Sequence, residues 1–284
     1  LISRRWYERI VEKCLLGSAV AAVLIVFLIG AFVLFEGFPI LSAHGLGFLL
    51  GREWAPLQGI FGVFPMIVGT FYATFGALIL SVPVGLACAV YLAEYAPRWF
   101  AELIRPAVLL LAGIPSVVYG FFGVVVLVPF IMNRFGGWGF SLLAASVVLA
   151  LMILPTMIGI SEDAIRSVPR SYKEGSLALG ATHWQTVKKV MLPAARSGIT
   201  AAVVLSLGKA AGETMAVLMV AGNVAAIPTS ILDPLRTLTA NVALEMGYAF
   251  GDHTRALFAS GVLLLLIVIL LNTLLYLLPK RTGI

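Results

Sequence analysis

The chain has 284 residues, 61% of them hydrophobic and only 11% charged, with a formal net charge of +6 at pH 7. Soluble domains carry about 25% charged residues, so an apolar excess of this size excludes a water-soluble surface and assigns the chain to a bilayer. The basic balance does not point to nucleic acid: there is no dense basic patch with interleaved aromatics, and a membrane protein uses Lys and Arg to set its orientation.

The first element follows the segment RRWYERIVEK. Residues 14–35 are uncharged, which is long for the apolar part of a signal peptide, and no small-residue cleavage site follows cleanly. They read as a retained first span. Residues 54–93 are also uncharged, but the start, WAPLQGIFGVFP, is turn-rich, so the second span is expected at 65–91. The third is expected at 106–133 and the fourth at 135–161, joined by the Gly-rich turn NRFGGWGF as antiparallel neighbours. The fifth is expected at 197–221 and the sixth at 256–279. This predicts an all-α integral membrane protein with six transmembrane helices. The expected division is 1–64 (N-terminal segment, first span and outer loop) and 65–284 (the remaining five spans). Cys14 and Cys88 fall in apolar runs and read as small buried hydrophobes. His44, His183 and His253 are scattered, so no metal site is expected.

Charge bias orients the spans. Arg4, Arg5, Arg9 and Lys13 precede the first, Arg98 and Arg105 lie between the second and third, and Lys280 and Arg281 end the chain. Arg166, Arg170, Lys173, Lys188, Lys189 and Arg196 lie between the fourth and fifth. The opposite side holds Arg52, Arg134, Arg236 and Arg255. The positive-inside rule then puts both termini of a multi-pass membrane protein in the cytoplasm. Pro83, Pro115, Pro129 and Pro155 fall within spans, where they either bend helices or mark a gated pathway.

The connection between the fourth and fifth spans, SEDAIRSVPRSYKEGSLALGATHWQTVKKVMLPAARSG, is patterned. Ser171 and Glu174 have capping-box spacing, as do Thr182 and Gln185. Gly180 is placed to stop a first short helix. A second would carry Trp184, Val187, Val190 and Met191 on one face, with Lys188 and Lys189 nearer the other, and Pro193 would close it. Two capped helices joined at a glycine make a compact knob, either an interfacial anchor or a dock for a soluble partner.

Residues 205–218, LSLGKAAGETMAVL, put Lys209 and Glu213 in an apolar helical run. Ionised groups inside a span cost at least a few kcal/mol each and seldom face lipid. At i,i+4 they share a helical face and can pair, although the Lys-first order is the weaker one. Lys209 falls about 18 Å along the helix from Ser197, near mid-membrane. Gly208 and Gly212 have the same spacing and would admit another helix closely. Two readings follow: an ion pair that fixes packing or subunit contact, or a pair lining a translocation path. Thr214 and Asn223 are further candidates for that path, or ordinary polar groups of a helix interior.

Glu174-Gly175-Ser176, Gly180 and Val190-x-Leu192-Pro193 resemble the EAA signature of bacterial ABC importer permeases, with small residues at 175 and 176 where the consensus has alanines and Val190 for isoleucine. The resemblance implies a type I (MetI-like) permease core whose loop holds the coupling helices, with Glu174, Gly180, Trp184, Leu192 and Pro193 facing the cytoplasmic ATPase. The run Gly208-Lys209-Ala210-Ala211-Gly212-Glu213-Thr214 resembles the G-R-A-x-G-E-T of the phosphate-specific (Pst) importer permeases, with lysine where arginine is usual. The N-terminal span, the segment 59–65 and Ile114 to Phe121 (IPSVVYGF) resemble the C-type subunit. These resemblances imply a path for inorganic phosphate. Lys209 would offset the anion's charge without arginine's two parallel donors. Glu213 would position Lys209 or accept a protonated phosphate oxygen. The implied partners are an A-type permease, two ATPase subunits that bind ATP and Mg, and an extracytoplasmic phosphate-binding protein. This chain has no GxxxxGK[ST] run, so neither a catalytic site nor a cofactor of its own is expected. Rival readings are a permease for molybdate or sulfate, an ion-gradient secondary transporter, and a non-transporting scaffold.

Overall fold

The computed structural model describes residues 2–277, a chain of helices and connecting loops with one small hairpin. The first helix, α1 (Ile2–His44), exposes Leu15, Val23 and Phe27 on a surface suited only to lipid. Its second half packs antiparallel to the last helix. There Gly37 is required by close approach, since a Cβ would sit 2.8 Å from the Ala259 nitrogen. Phe32 and Phe258 meet edge to face beside it, centroids 5.6 Å apart. After α2 (Leu46–Leu50), strands β1 (Trp54–Ala55) and β2 (Ile60–Phe61) pair antiparallel. The hairpin end is anchored by Phe48, Phe61, Val63 and Met66 in a buried cluster with Leu238, Ala256 and Ala259.

The centre is the contact between α3 (Phe64–Val90) and α7 (Leu142–Arg166). Small side chains line it: Ala73 and Ala77 on one helix, Ala144 and Ala145 on the other. At Gly85 a Cβ would meet the Met157 side chain at 2.6 Å. Without a hydrophobic drive between helices in lipid, close backbone approach supplies the attraction. Gly208 and Gly212, expected to admit another helix closely, face open space within this chain. Gly208 has only Asn272 in ordinary contact, and a Cβ at Gly212 would meet nothing.

The expected third span is also corrected. Residues 106–112 belong to α4 (Arg98–Ala112), and the crossing helix runs from α5 (Ser116–Phe122) through a π turn, Gly123–Leu127, into α6 (Val128–Phe135). Pro115 has no N–H and biases Ile114 away from helical geometry, so the chain breaks there. Tyr119 Oη donates to Leu111 O at 2.8 Å across the break, beside the backbone bond that Ile114 N makes to the same carbonyl at 3.3 Å.

Among the described residues, five helices are long and apolar enough to cross a membrane: Ile10–His44, Phe64–Tyr95, Ser116–Phe135, Leu142–Arg166 and Asp252–Thr273. A sixth candidate joins the helical segment His183–Ala194 to α11 (Arg196–Gly212), which bends 67° from it. It does not extend to 221 as expected, because the helix stops at Gly212. A short α12 (Met215–Val220) follows, then a loop, α13 (Leu238–Glu245) and α14 (Asp252–Leu277). The end of the expected sixth span at 278–279, with Lys280 and Arg281, lies outside the described residues.

Candidate functional site

The knob opposite the hairpin end consists of α8 (Arg170–Ala178), α9 (His183–Thr186), a π turn Val187–Met191 and α10 (Leu192–Ala194). Of the two predicted capping boxes, only the second forms. Gln185 N donates to Thr182 Oγ1 at 3.3 Å and Thr182 N to Gln185 Oε1 at 2.9 Å. The Ser171 box does not form, because Pro169 takes the cap position and Ser171 falls inside the first turn. Proline's fixed φ suits that entry without a side-chain cap. Gly180 has φ +87°, the left-handed geometry expected after α8.

The knob is fixed at its base and bare at its tip. Val187 and Met191 are buried against Ala89, Val90, Ile165 and Val168. Lys173 Nζ reaches Glu94 Oε2 at 2.6 Å, and His183 stacks edge to face on Tyr95. Trp184, predicted on the apolar face, is 56% exposed, and Leu179 is 91% exposed. Glu174 and Pro193 are exposed too, whereas Leu192 is half-buried. An apolar tip on a braced base is a surface that a partner can grip.

The second region is the break after α11. The expected Lys209–Glu213 helical pair is not formed. Glu213 has φ −69° and ψ 132°, extended backbone that takes its side chain off the α11 face. Three local interactions stabilise the break. Thr214 Oγ1 donates to Gly212 O at 3.3 Å, a local bond that competes with helix. Glu213 Oε1 accepts from Ala216 N at 3.2 Å in the first turn of α12, where negative charge is favoured. Thr239 Oγ1, from α13, donates to Glu213 O at 2.9 Å. Lys209 lies in the last turn of α11, where the helix dipole favours a cation. Its ammonium is 3.4 Å from Met152 O on α7, three residues before Pro155, and no carboxylate lies within ion-pair distance among the described residues. The side chain is exposed on a stripe of α11 that includes Ala201, Leu205 and Gly212. Asn223 has φ +55° in the turn after Gly222. Its Nδ2 donates to Leu218 O at 2.7 Å, so it shapes the re-entrant chain.

A third cluster escaped the sequence reading. Glu245 accepts from Trp54 Nε1 at 2.8 Å and Arg236 Nη1 at 2.7 Å, and lies 2.8 Å from His253 Nε2. Arg236 also donates to Asn223 O at 2.8 Å and Asn241 Oδ1 at 3.0 Å. Trp54 is 191 positions from Glu245, so no local spacing signals the pairing. Among the described residues no three His, Cys, Asp or Glu side chains are placed to hold a metal.

Residues 81–283 match the family described as "binding-protein-dependent transport system inner membrane component". This chain belongs to that family. The permease is 42% identical over 277 residues to the "Probable ABC transporter permease protein YqgH" of Bacillus subtilis (strain 168), covering 96% of this chain and 89% of that one. It is 38% identical over 275 residues to the "Phosphate transport system permease protein PstC" of Mesorhizobium japonicum, covering 88% and 84%. Among solved structures, the permease resembles a chain of the inward-facing MetNI methionine ABC transporter, with TM-score 0.57 and 25% identity, over 78% of this chain and 96% of that one. A chain of a bacterial ABC transporter that imports alginate aligns over 97% of the permease and 100% of that chain, with TM-score 0.60. At 17% identity, that likeness speaks for the fold alone. Together these establish an all-α, multi-pass membrane permease of the ABC importer type with a MetI-like core.

Proposed function

We propose that this permease forms, with a second A-type phosphate permease, the path by which inorganic phosphate passes from an extracytoplasmic phosphate-binding protein to the cytoplasm. Two cytoplasmic ATPase subunits, which bind ATP and Mg, drive it through the knob. The observation that carries the reading is the Lys209 ammonium: exposed, without a carboxylate partner, about 20 Å along α11 from its start. An unneutralised cation at that depth is costly unless it faces water, a partner chain or an anion. A lysine donates as a point charge, strong enough to admit an oxyanion and, without a bidentate grip, weak enough to release it.

Glu213, Thr214 and Asn223 shape the break beside Lys209, which leaves α11 ending at the path instead of crossing past it. Discontinuous helices of this kind present helix ends and freed backbone groups to a substrate. Gly208 and Gly212, open within this chain, give the second permease room to approach. At the knob, Glu174, Gly180, Trp184, Leu192 and Pro193 form the contact with the ATPase. In this reading the knob and both termini lie on the cytoplasmic side of the inner membrane, in line with the bias of Lys and Arg. Identity to permeases named for phosphate transport supports this cargo over molybdate or sulfate.

The test is uptake of labelled phosphate into vesicles containing the full complex, with sulfate and arsenate as competitors. Lys209→Ala should cut transport at least tenfold while the complex still assembles, and arsenate should compete where sulfate does not. Transport near the unmodified rate in Lys209→Ala would remove the pathway role. Equal competition by sulfate would remove the cargo assignment.

A further inference from the structure

Two buried hydroxyls in the spans answer to their own helix. On α14, Ser260 donates to Ala256 O at 3.0 Å, and on α3, Thr70 donates to Met66 O at 2.8 Å. Ser81, Ser161 and Ser206 have no partner, but each is at most 1% exposed and enclosed by its own chain. Asn272 is different. It stands on α14 in the run 256–279, which contains no charged residue. No hydrogen bond holds its amide among the described residues. Its Oδ1 is buried although the residue as a whole is only half-buried, so Nδ2 is the outward end of the amide. An amide without a partner in a membrane-spanning helix is costly unless something outside the chain completes it.

Its surroundings say what that something is. α14 packs on α11, and a Cβ at Gly208 would lie 3.9 Å from both Nδ2 and Oδ1 of Asn272. The amide is therefore broadside to Gly208, with no side chain between. The next residue is Lys209, whose ammonium reaches the other way, to Met152 O on α7. At about 100° per residue, Ala201, Leu205 and Gly212 fall between Gly208 and Lys209 around the helix. All three are exposed. Asn272 and Lys209 thus stand on the two margins of one open stripe, the first from the α14 side and the second toward α7. Lipid would be a poor cover for that stripe, since an ammonium borders it on one side and an unpaired amide on the other.

We propose that Asn272 is a second ligand of the translocated oxyanion, with Nδ2 donating to an oxygen of inorganic phosphate that Lys209 attracts from across the stripe. The assignment rests on Lys209 lining the path. The two donors divide the work. The ammonium supplies the charge that makes an anion acceptable at this depth. The amide adds a directed hydrogen bond without adding charge, so the site can orient the anion and still release it. Gly208 gains a role as well: without a side chain, it leaves the amide uncovered. A methyl group there would meet nothing closer than 3.9 Å, so packing within this chain does not demand glycine.

The experiment measures uptake of labelled inorganic phosphate into vesicles containing the full complex. Assembly is followed by size-exclusion chromatography and stability by thermal unfolding. Asn272→Leu keeps the approximate volume and loses the amide; it should cut uptake about tenfold, the lower end for a hydrogen bond to a charged group. Asn272→Asp sets a carboxylate against the anion and should cut uptake further. Gly208→Ala should lower uptake at least about twofold with assembly intact and thermal stability unchanged or higher, because alanine favours the helix. A purely structural amide would give the opposite pattern: Asn272→Leu would lose assembly or stability, and that result overturns the proposal. Lys209→Ala is measured alongside. Uptake near the unmodified rate in Asn272→Leu, with transport lost in Lys209→Ala, overturns the role of Asn272 and leaves that of Lys209. Uptake near the unmodified rate in Lys209→Ala removes the path reading itself. Unmodified uptake in Asn272→Asp would also overturn the proposal, since an anion ligand cannot be replaced by a like charge without loss.

Discussion

Glu245 and Glu213 are both tied to α13, one by being part of it and the other through the Thr239 hydroxyl, yet they are held in opposite ways. Glu245 is 9% exposed and meets an indole, a guanidinium and an imidazole from three separate segments. Glu213 is half-buried, and its carboxylate is given a single backbone N–H at the start of α12. The first arrangement is saturated and rigid, and locks the hairpin, the 223–237 loop and the start of α14 together. The second is sparse and sits where a helix has been interrupted. A buried charge with every donor in place fixes a fold. Lys209 and Glu213 share a sequence motif but leave each other unpaired, and so lock no segments together.

The largest predicted effect comes from breaking the saturated side. Glu245→Ala would leave the Arg236 guanidinium without its counter-charge, and should lower the unfolding free energy by about 3–5 kcal/mol. Thermal unfolding of the detergent-solubilised permease measures this, and a shift as small as that of Glu213→Ala would erase the contrast. Next is the link between the two regions. Thr239→Val removes the hydroxyl that holds Glu213 O and should cost about 1 kcal/mol. It should also speed hydrogen exchange at the 212–216 amides without altering those of the hairpin. On the sparse side, Glu213→Gln should cost only about 0.3–1 kcal/mol, the usual value of a carboxylate near a helix N-terminus. If transport also survives at the unmodified rate, the charge of Glu213 has no part in the path.

The smallest effect is set by pH. In the loop after α12, Asp233 Oδ2 accepts from Thr229 Oγ1, Thr229 N and Ser230 N, each at 2.8 Å. The Thr229 hydroxyl, then the two backbone N–H groups, hold its carboxyl below the ordinary carboxylate value. A lowered folded-state value means that the stabilisation is present above the unfolded pKa, about 4. It is lost as pH falls through the lower folded value. Exchange at Thr229 and Ser230 should therefore stay slow down through pH 4 and accelerate only in stronger acid. Asp233→Asn should make it fast at all pH. The Glu245 cluster should stay protected in that variant, since no contact joins it to this carboxylate.

The sequence alone was sufficient for properties that depend on solvent and local geometry. Uncharged runs longer than a bilayer's thickness located the first, second, fourth and sixth spans, because lipid admits no unpaired backbone or charge. The Thr182 box and the left-handed turn at Gly180 were legible because each needs only its own few residues. Family motifs placed the knob for the same reason of spacing. Tertiary structure decided which charges meet. Pro115 and Gly212 looked like interruptions that a span tolerates, and in fact end helices, because Tyr119, Thr214 and Thr239 supply bonds that reward the break. Lys209 and Glu213 are four residues apart and do not pair. Trp54, Arg236, Glu245 and His253 come from distant stretches and do. Pairing inside a membrane is settled by which segments pack side by side, and sequence spacing governs it only while the helix that carries the spacing stays unbroken.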